Sequence, residues 1–284
     1  MVAVKKVSEL QKYFVGDDFE RFVLSTIKEI NVTTAPYEKI YVMFSGGKDS
    51  LVALDITIKA IGSEKVEVLY IDTGIATPGL KDYVVDIAHR YGLKLNIAGP
   101  KYDFFKLVER MGFPMIKYRW CKRYLKIEPL RDFVKQAKER YRSILLITGL
   151  RKDESWFKAK GSKFYRHPKL DVDVYAPLFE WNSDHIENYI ITNNLPINPL
   201  YKIYGKAYDC WCTVFKTPAD FARLAINHPQ FFEKFVDAER KLRKGGSALY
   251  YNSQRIYLRD IQRDPHYYLH SFPQGGKCPL CKIF

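Results

Sequence analysis

The chain has 284 residues, of which 47% are hydrophobic and 15% aromatic, so it can bury the core of one large domain or of a domain with a smaller lobe. Its 46 Lys and Arg residues outnumber its 32 Asp and Glu residues. The resulting net charge of +14 attracts polyanions, but charge alone does not identify which polyanion binds. No stretch approaches the roughly 18 apolar residues of a membrane span, and the start lacks the apolar region of a signal peptide. We therefore expect a cytoplasmic protein with no membrane partner.

Short apolar runs alternate with helix-compatible segments along the first half of the chain. The apolar runs, which predict β-strands, cover residues 39–44, 66–72, 93–99 and 143–150. The segments that predict helices cover residues 49–61, 79–92 and 127–141. Strands that are apolar throughout, rather than alternating, are typical of a parallel sheet buried on both faces. The order of elements predicts an open, doubly wound, mostly parallel α/β sheet.

The pattern changes in the second half of the chain. The sequence predicts three further elements: a last strand at 174–181, a helix at 183–194 with Asn182 or Ser183 as its cap, and one long helix over 218–244. No internal repeat or low-complexity linker is present. The simplest division is an α/β domain over residues 1–205 and a helical, loop-rich, cysteine-containing extension over residues 206–284.

One turn joins the first predicted strand to the first predicted helix and reads S-G-G-K-D-S. Glycines let the main chain approach a ligand closely, and successive N–H groups with a helix N-terminus behind them attract anions. The turn therefore predicts a phosphate or pyrophosphate site formed by Ser45, Gly46, Gly47, Lys48, Asp49 and Ser50. The alternative interpretation is a Gly-Gly turn that only joins strand to helix, capped by Asp49 or Ser50.

Several motifs, in order along the chain, resemble those of known nucleotide-binding enzymes. The turn at 45–50 resembles the PP-loop of the ATP pyrophosphatase superfamily (adenine nucleotide alpha hydrolases), which grips the pyrophosphate of ATP. The segments R-W-C-K-R-Y-L-K-I-E-P-L (119–130), T-G-L-R-K-D-E-S (148–155) and A-P-L-F-E-W…L-P-I-N-P-L-Y (176–201) resemble those of the phosphoadenosine phosphosulfate (PAPS) reductase family. On these motifs the chain is identified as a member of that family, within the PP-loop superfamily.

The resemblance implies that the ligand is an adenine nucleotide. The segment Y-I-D-T-G at 70–74 is similar to the strand end that receives adenosine. Beyond the loop, the resemblance assigns five residues to nucleotide binding: Asp72, Thr73, Gly149, Arg151 and Lys152. Arg151 and Lys152 follow a predicted strand, so we expect them to clamp phosphate or sulfate oxygens in the same crevice as the loop. Ordinary surface cations are the alternative. Asp153 and Glu154 are expected to orient these cations, to bind Mg²⁺, or only to favour a helix dipole.

The five cysteines stand in three places: Cys121 in a basic context, a C-x-C pair at Cys210 and Cys212, and a C-x₂-C pair at Cys278 and Cys281. An odd number in a reducing compartment argues against a disulfide framework. We predict a metal site, either a [4Fe–4S] iron–sulfur cluster or zinc, on Cys121, Cys210, Cys278 and Cys281. The competing arrangement places Cys121, Cys210 and Cys212 on one cluster and leaves Cys278 and Cys281 as a redox pair. Cluster-bearing reductases of the family carry Cys-Cys where this chain has Trp-Cys.

Two reactions follow from the resemblance. In the first, a thiolate attacks adenosine phosphosulfate or PAPS, with Cys212, Lys48 and Arg151 as predicted catalytic residues, and a thioredoxin-like partner releases sulfite. In the second, an ATP pyrophosphatase uses ATP with Mg²⁺ to adenylate tRNA or DNA, and sulfur then displaces AMP. The complete loop and the net charge favour the second reaction, whereas the frequency of reductases in the family favours the first by a narrow margin. A homodimer is left open by the sequence.

Overall fold

The computed structural model describes residues 17–154, 161–214, 216–242, 246–251 and 254–274. The first elements are α1 (Asp17–Thr34), β1 (Lys39–Met43), α2 (Lys48–Ile61), β2 (Val66–Ile71), α3 (Leu80–Arg90), β3 (Leu95–Ala98) and α4 (Phe104–Met111). A short helix α5 (Trp120–Lys122) and a π-helical turn (Arg123–Ile127) lead into α6 (Glu128–Arg140), β4 (Ile144–Thr148), a 3₁₀ turn (Lys152–Glu154), β5 (Phe164–His167) and β6 (Val172–Tyr175). The last elements are α7 (Ser183–Thr192), α8 (Leu200–Tyr204), α9 (Pro218–Asn227), α10 (Pro229–Arg240), β7 (Leu249–Tyr251), β8 (Gln254–Ile256), α11 (Leu258–Arg263) and α12 (Pro265–Ser271).

Six strands form a central, mostly parallel sheet in the order β3-β2-β1-β4-β6-β5. Strands β1 and β4 are parallel, with Met43 opposite Thr148 at their carboxyl ends. Strand β6 continues the parallel arrangement and β5 pairs with it antiparallel at one edge. Every residue of β4 is buried, as a strand covered on both faces requires. The predicted doubly wound, mostly parallel α/β fold is confirmed, with a helical C-terminal part.

The chain divides into two compact units. The first consists of Met1–Met43, Lys48–Val68 and Tyr141–Ile197, and the second of Phe44–Gly47, Leu69–Arg140 and Asn198–Phe284. The second unit has a large aromatic core in which the rings of α4, α9 and α10 pack edge to face or tilted. It contains residues from both sides of the predicted boundary at residue 205, and that boundary stays a prediction.

The long helix predicted over 218–244 is wrong, because the structure has two helices there. Helix α9 ends at Asn227 and α10 begins at Pro229, with His228 between them in a non-helical conformation. Proline has no N–H for an intrahelical hydrogen bond and its ring clashes with the preceding turn, so it ends one helix and starts the next.

The strand predicted over 174–181 is also placed too far along the chain. Strand β6 begins at Val172 and ends at Tyr175, and a turn follows. Pro177 cannot donate a hydrogen bond to a neighbouring strand, which explains why β6 ends early.

Across the ranges that the structure covers, none of the helices combines the length and apolar character needed to cross a bilayer.

Candidate nucleotide site

The S-G-G-K-D-S loop leaves β1 and enters α2 at Lys48. Gly46 has a φ of 76°, in the left-handed region that other residues rarely adopt, and a Cβ atom there would lie 2.6 Å from Leu80 Cδ1. The buried Asn198 side chain donates a hydrogen bond of 3.1 Å to the Gly46 carbonyl oxygen. The protein itself therefore holds the main chain of the loop in the bend that the sequence predicts.

The six loop residues differ in how far solvent reaches them. Ser45 is exposed, Gly47 and Lys48 are half-buried, and the other three residues, Gly46, Asp49 and Ser50, are buried. The residues that reach solvent therefore include Lys48, which is the cation of the loop. A phosphate that approaches along the loop meets Lys48 and the start of α2.

Gly149 lies directly after β4 and supports the loop from behind. A Cβ atom on Gly149 would lie 2.6 Å from the Asp49 carbonyl carbon and 2.8 Å from the Ser50 nitrogen. These are backbone atoms in the first turn of α2, so they cannot move aside as a flexible side chain does. Gly149 was predicted to bind nucleotide, and the structure places it as the packing partner of the residues expected to do so.

Arg151 is buried in the first unit and is held there by acidic side chains. Its guanidinium lies 3.2 Å from Asp49 Oδ1 and 3.1 Å from Asp153 Oδ2. The Ser183 hydroxyl, at the start of α7, lies 3.3 Å from Arg151 Nη2. The Nε hydrogen is not aligned with Asp49, so that contact is an ion pair rather than a hydrogen bond.

The other two cations predicted for the site are also ion-paired within the first unit. Lys48 Nζ lies 2.9 Å from Glu187 Oε1 on α7, and this pair is partly exposed. Lys152 pairs with Glu180 on the surface. Each cation expected to bind phosphate or sulfate therefore already has a carboxylate partner, which an incoming anion must replace.

Asp72 and Thr73 follow β2 in the second unit and are held in different ways. Asp72 accepts hydrogen bonds from the Gly74 N–H at 2.9 Å and from Lys81 Nζ at 3.1 Å. Thr73 Oγ1 donates a hydrogen bond of 2.7 Å to the carbonyl oxygen of Asp209, the residue before the C-x-C pair. The end of β2, expected to receive adenosine, is thereby joined to the cysteine segment.

A buried tyrosine and lysine lie beside this end of β2. Lys126, in the π-helical turn, forms an ion pair of 2.6 Å with Asp209. The Tyr70 hydroxyl is buried and has no hydrogen-bond partner in the part of the chain that the structure describes. Burial raises the pKa of Tyr70, the charges of Asp72 and Asp209 raise it further, and Lys126 opposes them. Tyr70 is therefore a neutral hydroxyl at neutral pH.

Three of the five cysteines lie within the described residues, and all three are buried in the core of the second unit. The sulfur atoms of Cys210 and Cys212 lie 3.5 Å apart, which is too far for a disulfide bond. Among the described residues, no group of three Cys, His, Asp or Glu side chains is arranged to hold a metal ion. Cys278 and Cys281 lie outside the described residues, so the predicted four-thiolate set stays a prediction.

Sequence reasoning gave no role to Asn198, Glu187 or Asp209, which contact predicted site residues, or to Lys126, which pairs with Asp209. Asn198 and Lys126 stand inside motifs that resemble the family, and this was the only signal available for them. Glu187 and Asp209 contact residues far away in sequence, at separations of 139 and 83 positions. No local pattern reports contacts over such distances.

The family model described as the phosphoadenosine phosphosulfate reductase domain matches residues 39–212, more than half of the chain. The chain belongs to the PAPS reductase family. An uncharacterized protein of Methanocaldococcus jannaschii is 32% identical over 80% of this chain, and this chain spans 46% of its length. Adenosine 5′-phosphosulfate reductase 2 of Bacillus subtilis is 26% identical over 66% of this chain and 80% of its own length.

The fold of this PAPS reductase family member is also found in solved structures. The PAPS reductase of Candida auris, in a phosphate complex, superimposes with a TM-score of 0.52 and 20% identity, over 70% of this chain and 97% of that one. At this identity the likeness shows the fold alone. Because this chain spans less than half of the M. jannaschii relative, the activity, substrates and partners of the whole protein are matters for proposal.

Proposed function

We propose that the chain binds an adenine nucleotide at the S-G-G-K-D-S loop and reduces its phosphosulfate, in adenosine phosphosulfate or PAPS, to sulfite. The observation that carries this proposal is the pair of buried thiols, Cys210 and Cys212, with sulfur atoms 3.5 Å apart. Their segment is hydrogen-bonded through Asp209 to Thr73, at the strand end expected to receive adenosine. The similarity to a B. subtilis adenosine phosphosulfate reductase supports the same substrate class.

Two thiols can supply the two electrons that reduction of sulfate to sulfite requires. Once both have lost their protons to solvent, the Cys212 thiolate attacks the sulfur of the phosphosulfate. A sulfur–sulfur bond forms, the sulfur–oxygen bond to phosphate breaks, and the nucleotide leaves with the electron pair. The Cys210 thiolate then attacks the Cys212 sulfur, and sulfite leaves with its electron pair. A thioredoxin-like dithiol reduces the resulting disulfide by thiol–disulfide exchange.

The cysteine segment must open before a substrate can reach it, because the Cys212 side chain is only 1% exposed. Thr213, the next residue, has a φ of 69°, which a β-branched residue rarely adopts. Its hydroxyl donates a hydrogen bond of 3.0 Å to the Pro114 carbonyl oxygen, which holds this conformation. Strained residues are found at functional segments, and relief of the strain favours local opening.

In this proposal the cations of the first unit bind the charged part of the substrate. Lys48 and the main-chain N–H groups of residues 45–50 hold phosphate oxygens, and Arg151 and Lys152 hold phosphate or sulfate oxygens. Asp72 and Thr73 contact the adenosine. Lys48 and Arg151 stabilise the negative charge that moves onto the departing phosphate, so replacing Lys48 with Ala should weaken both binding and turnover.

A metal site is the competing use of Cys210. Two thiolates bound to one tetrahedral zinc ion lie about 3.7 Å apart, close to the 3.5 Å seen for Cys210 and Cys212, so this segment presents sulfur atoms at a spacing that suits ligation. In the predicted set, Cys210 and Cys121 are two ligands, and Cys278 and Cys281, which lie outside the described residues, are the other two. Gln274 hydrogen-bonds the Tyr204 carbonyl, and Tyr204 packs against Trp211. The C-x₂-C pair thus starts four residues beyond a point held near the C-x-C pair.

Truncation after Gly276 tests the metal proposal. If Cys278 and Cys281 complete a zinc or [4Fe–4S] site with Cys121 and Cys210, the truncated protein loses the metal and much of its stability together. Iron, zinc and sulfide analysis after anaerobic purification gives the metal content, and urea unfolding gives the stability. A truncated protein that keeps its full metal content contradicts this ligand set.

The second candidate function is an ATP pyrophosphatase that adenylates tRNA or DNA for sulfur insertion. The observation that favours it is the complete S-G-G-K-D-S loop, in which Lys48 is a partly exposed cation beside the start of α2. With Mg²⁺, such a loop holds the pyrophosphate that leaves when the acceptor oxygen attacks the α-phosphate. The buried thiols would then carry sulfur rather than electrons.

Intact-mass spectrometry with matched cysteine variants distinguishes the two functions. On our proposal, Cys210→Ser incubated with adenosine phosphosulfate gains the mass of one SO₃ group, because the adduct on Cys212 cannot be resolved. Cys212→Ser gains none, and Cys121→Ser reacts as the wild type does. Absence of the adduct in Cys210→Ser, together with pyrophosphate release from Mg-ATP that depends on tRNA or DNA, supports the second candidate instead.

A further inference from the structure

The second unit carries an exposed surface of tyrosines and cations in the segment between β3 and α6. We call Tyr102, Tyr118, Arg123 and Tyr124 the Tyr–Arg surface. Tyr102 and Tyr118 are about half exposed, at 48% and 54%. Large side chains that reach solvent together in one segment mark a surface for interaction rather than a packing defect.

Three members of the Tyr–Arg surface, Tyr102, Arg123 and Tyr124, are linked by direct contacts. The rings of Tyr102 and Tyr124 meet edge to face with their centroids 5.9 Å apart, and the Arg123 guanidinium lies 5.2 Å from the Tyr124 centroid. Arg123 is also hydrogen-bonded to Glu128, which raises the pKa of Arg123 most, and Tyr124 and Tyr118 raise it further. Tyr118 lies five residues before Arg123 and is also exposed.

A tight turn at residues 115–118 brings two further side chains to the surface. Met115 and Tyr118 exchange two main-chain hydrogen bonds of 3.1 and 3.0 Å, which places Ile116 and Lys117 at an exposed tip. The turn is anchored at its base, where Thr213 donates a hydrogen bond to the Pro114 carbonyl. Thr213 directly follows the C-x-C pair, so this hydrogen bond links the turn to the cysteine segment.

A half-buried cation, Arg119, lies immediately after this tip. Its Nη1 atom is inaccessible to solvent and has no hydrogen-bond partner within the residues that the structure covers. Because a ligand at the surface does not reach this atom, Arg119 contributes its positive charge to the segment rather than a direct contact.

The charge of the segment limits what can bind there. Residues 101–124 contain seven Lys and Arg but only two Asp and Glu. The exposed ion pairs Arg123–Glu128 and Lys101–Asp132 neutralise part of this charge, although exposed pairs are weak and can exchange partners. A second copy of the same surface would be repelled by like charge, whereas a polyanion with flat, stackable groups matches both features.

We propose that the Tyr–Arg surface binds single-stranded nucleic acid. Bases stack on Tyr102 and Tyr118, and the phosphate backbone lies along the exposed Lys117 and Arg123. The proposal goes beyond the reduction of a nucleotide, and it also names the surface that would hold the acceptor in the second candidate function. The hydrogen bond between Thr213 and Pro114 would keep a bound strand close to the C-x-C pair.

Fluorescence anisotropy with labelled oligo-U and oligo-dT, each 12 nucleotides long, tests the proposal with the full-length protein. The test variant is Tyr118→Ala with Arg123→Gln. The matched control is Tyr250→Ala with Arg255→Gln, a second exposed Tyr–Arg contact in the same unit, with the guanidinium 5.8 Å from the ring centroid. The RNA and DNA oligonucleotides show which sugar is preferred. ATP and adenosine phosphosulfate binding is measured in the same preparations.

We expect the test variant to bind the single strands at least about tenfold more weakly, as loss of one stacked base predicts, with a shallower salt dependence. The control variant should bind as the wild type does, and both variants should keep their nucleotide affinity. Equal losses in both variants, or no loss in the test variant, overturn the proposal. So does concentration-dependent dimerisation that the test variant abolishes, because a second copy would then occupy the surface. A wild-type protein that binds the single strands but neither ATP nor adenosine phosphosulfate contradicts the proposed function and leaves this proposal standing.

Discussion

Gly149 has no room for a methyl group, because its Cα faces the main chain of Asp49 and Ser50. We predict that Gly149→Ala pushes the first turn of α2 away from β4. The free energy of unfolding should fall by about 1–3 kcal/mol, as for other overpacked sites, and adenine-nucleotide binding should weaken with it. Urea unfolding and calorimetric titration with ATP measure the two effects.

Gly99 offers a matched control for this substitution. It also follows a strand directly, β3, but a Cβ atom there would lie 3.7 Å from the nearest atom, the Asp72 carbonyl oxygen, which is an ordinary contact. Gly99→Ala should therefore leave stability and binding nearly unchanged. Equal effects at Gly99 and Gly149 would mean that close packing behind the loop is not the cause.

In the proposed function, Glu187 competes with phosphate for Lys48. We predict that Glu187→Gln binds adenine nucleotides about 1.4- to fivefold more tightly at low salt, because an exposed ion pair is worth about 0.2–1 kcal/mol. The gain should shrink as salt is added. Glu109→Gln removes the carboxylate of another exposed pair, with Lys241, and should not change the affinity. A weaker affinity in Glu187→Gln would instead make Glu187 part of the binding site.

At the scale of elements, helix α9 depends on a capping box. The Thr217 side chain accepts a hydrogen bond from the Asp220 N–H, and the Asp220 carboxylate accepts one from the Thr217 N–H and another from the Tyr208 hydroxyl. Thr217→Ala should lower the free energy of unfolding by about 1 kcal/mol, whereas Thr217→Ser keeps the hydroxyl and should lose little. Denaturant unfolding of both variants tests this, and equal losses would argue for the methyl group rather than the cap.

Most of the central sheet could be predicted from sequence because its inner strands are continuous apolar runs. Strand β4, for example, lies within its predicted range and is buried throughout. Strand β5 was missed because F-Y-R-H mixes exposed and buried residues and pairs at an edge, where burial imposes no clear pattern. The break at Pro229 was overlooked because the apolar residues on either side keep a helical spacing.

The candidate site was predictable only where its residues follow strands. The loop, Asp72 and Arg151 each stand at the carboxyl end of an apolar run, which is where strands of a parallel sheet carry ligand-binding residues. The partners that hold them, such as Glu187 for Lys48 and Asn198 for Gly46, come from positions about 140–150 residues away. Those contacts depend on tertiary packing, so the spacing of residues along the sequence does not predict them.

At the scale of the whole molecule, we expect each unit to lose stability in acid through one histidine. Burial is the largest cause that lowers the pKa of His185 in the first unit and of His228 in the second. The unfolded chain therefore takes up protons first as pH falls below about 6.5, and stability decreases until the native histidines are also protonated.

His228→Phe tests this in one unit. The ring stacks on Tyr204 and its Nε2 has no partner in the described part of the chain, so a phenyl ring is a fair replacement. We predict a smaller loss of unfolding free energy between pH 7 and about 5 than in the wild type. Measurements at pH 8, where histidine is neutral in both states, give the change due to packing alone. An unchanged slope with pH would contradict the prediction.

If Lys48, Arg151 and Lys152 bind the nucleotide as proposed, its phosphates replace the carboxylates that are now paired with these cations in the first unit. These carboxylates are built-in counterions, so a nucleotide that enters displaces a side chain rather than salt from solution. Few small ions are then released, and the affinity for ATP should depend only weakly on ionic strength despite the net charge of +14. A strand on the Tyr–Arg surface does release small ions and should dissociate steeply as salt rises. Plots of binding constant against salt, measured for both ligands on one protein, should therefore have clearly different slopes.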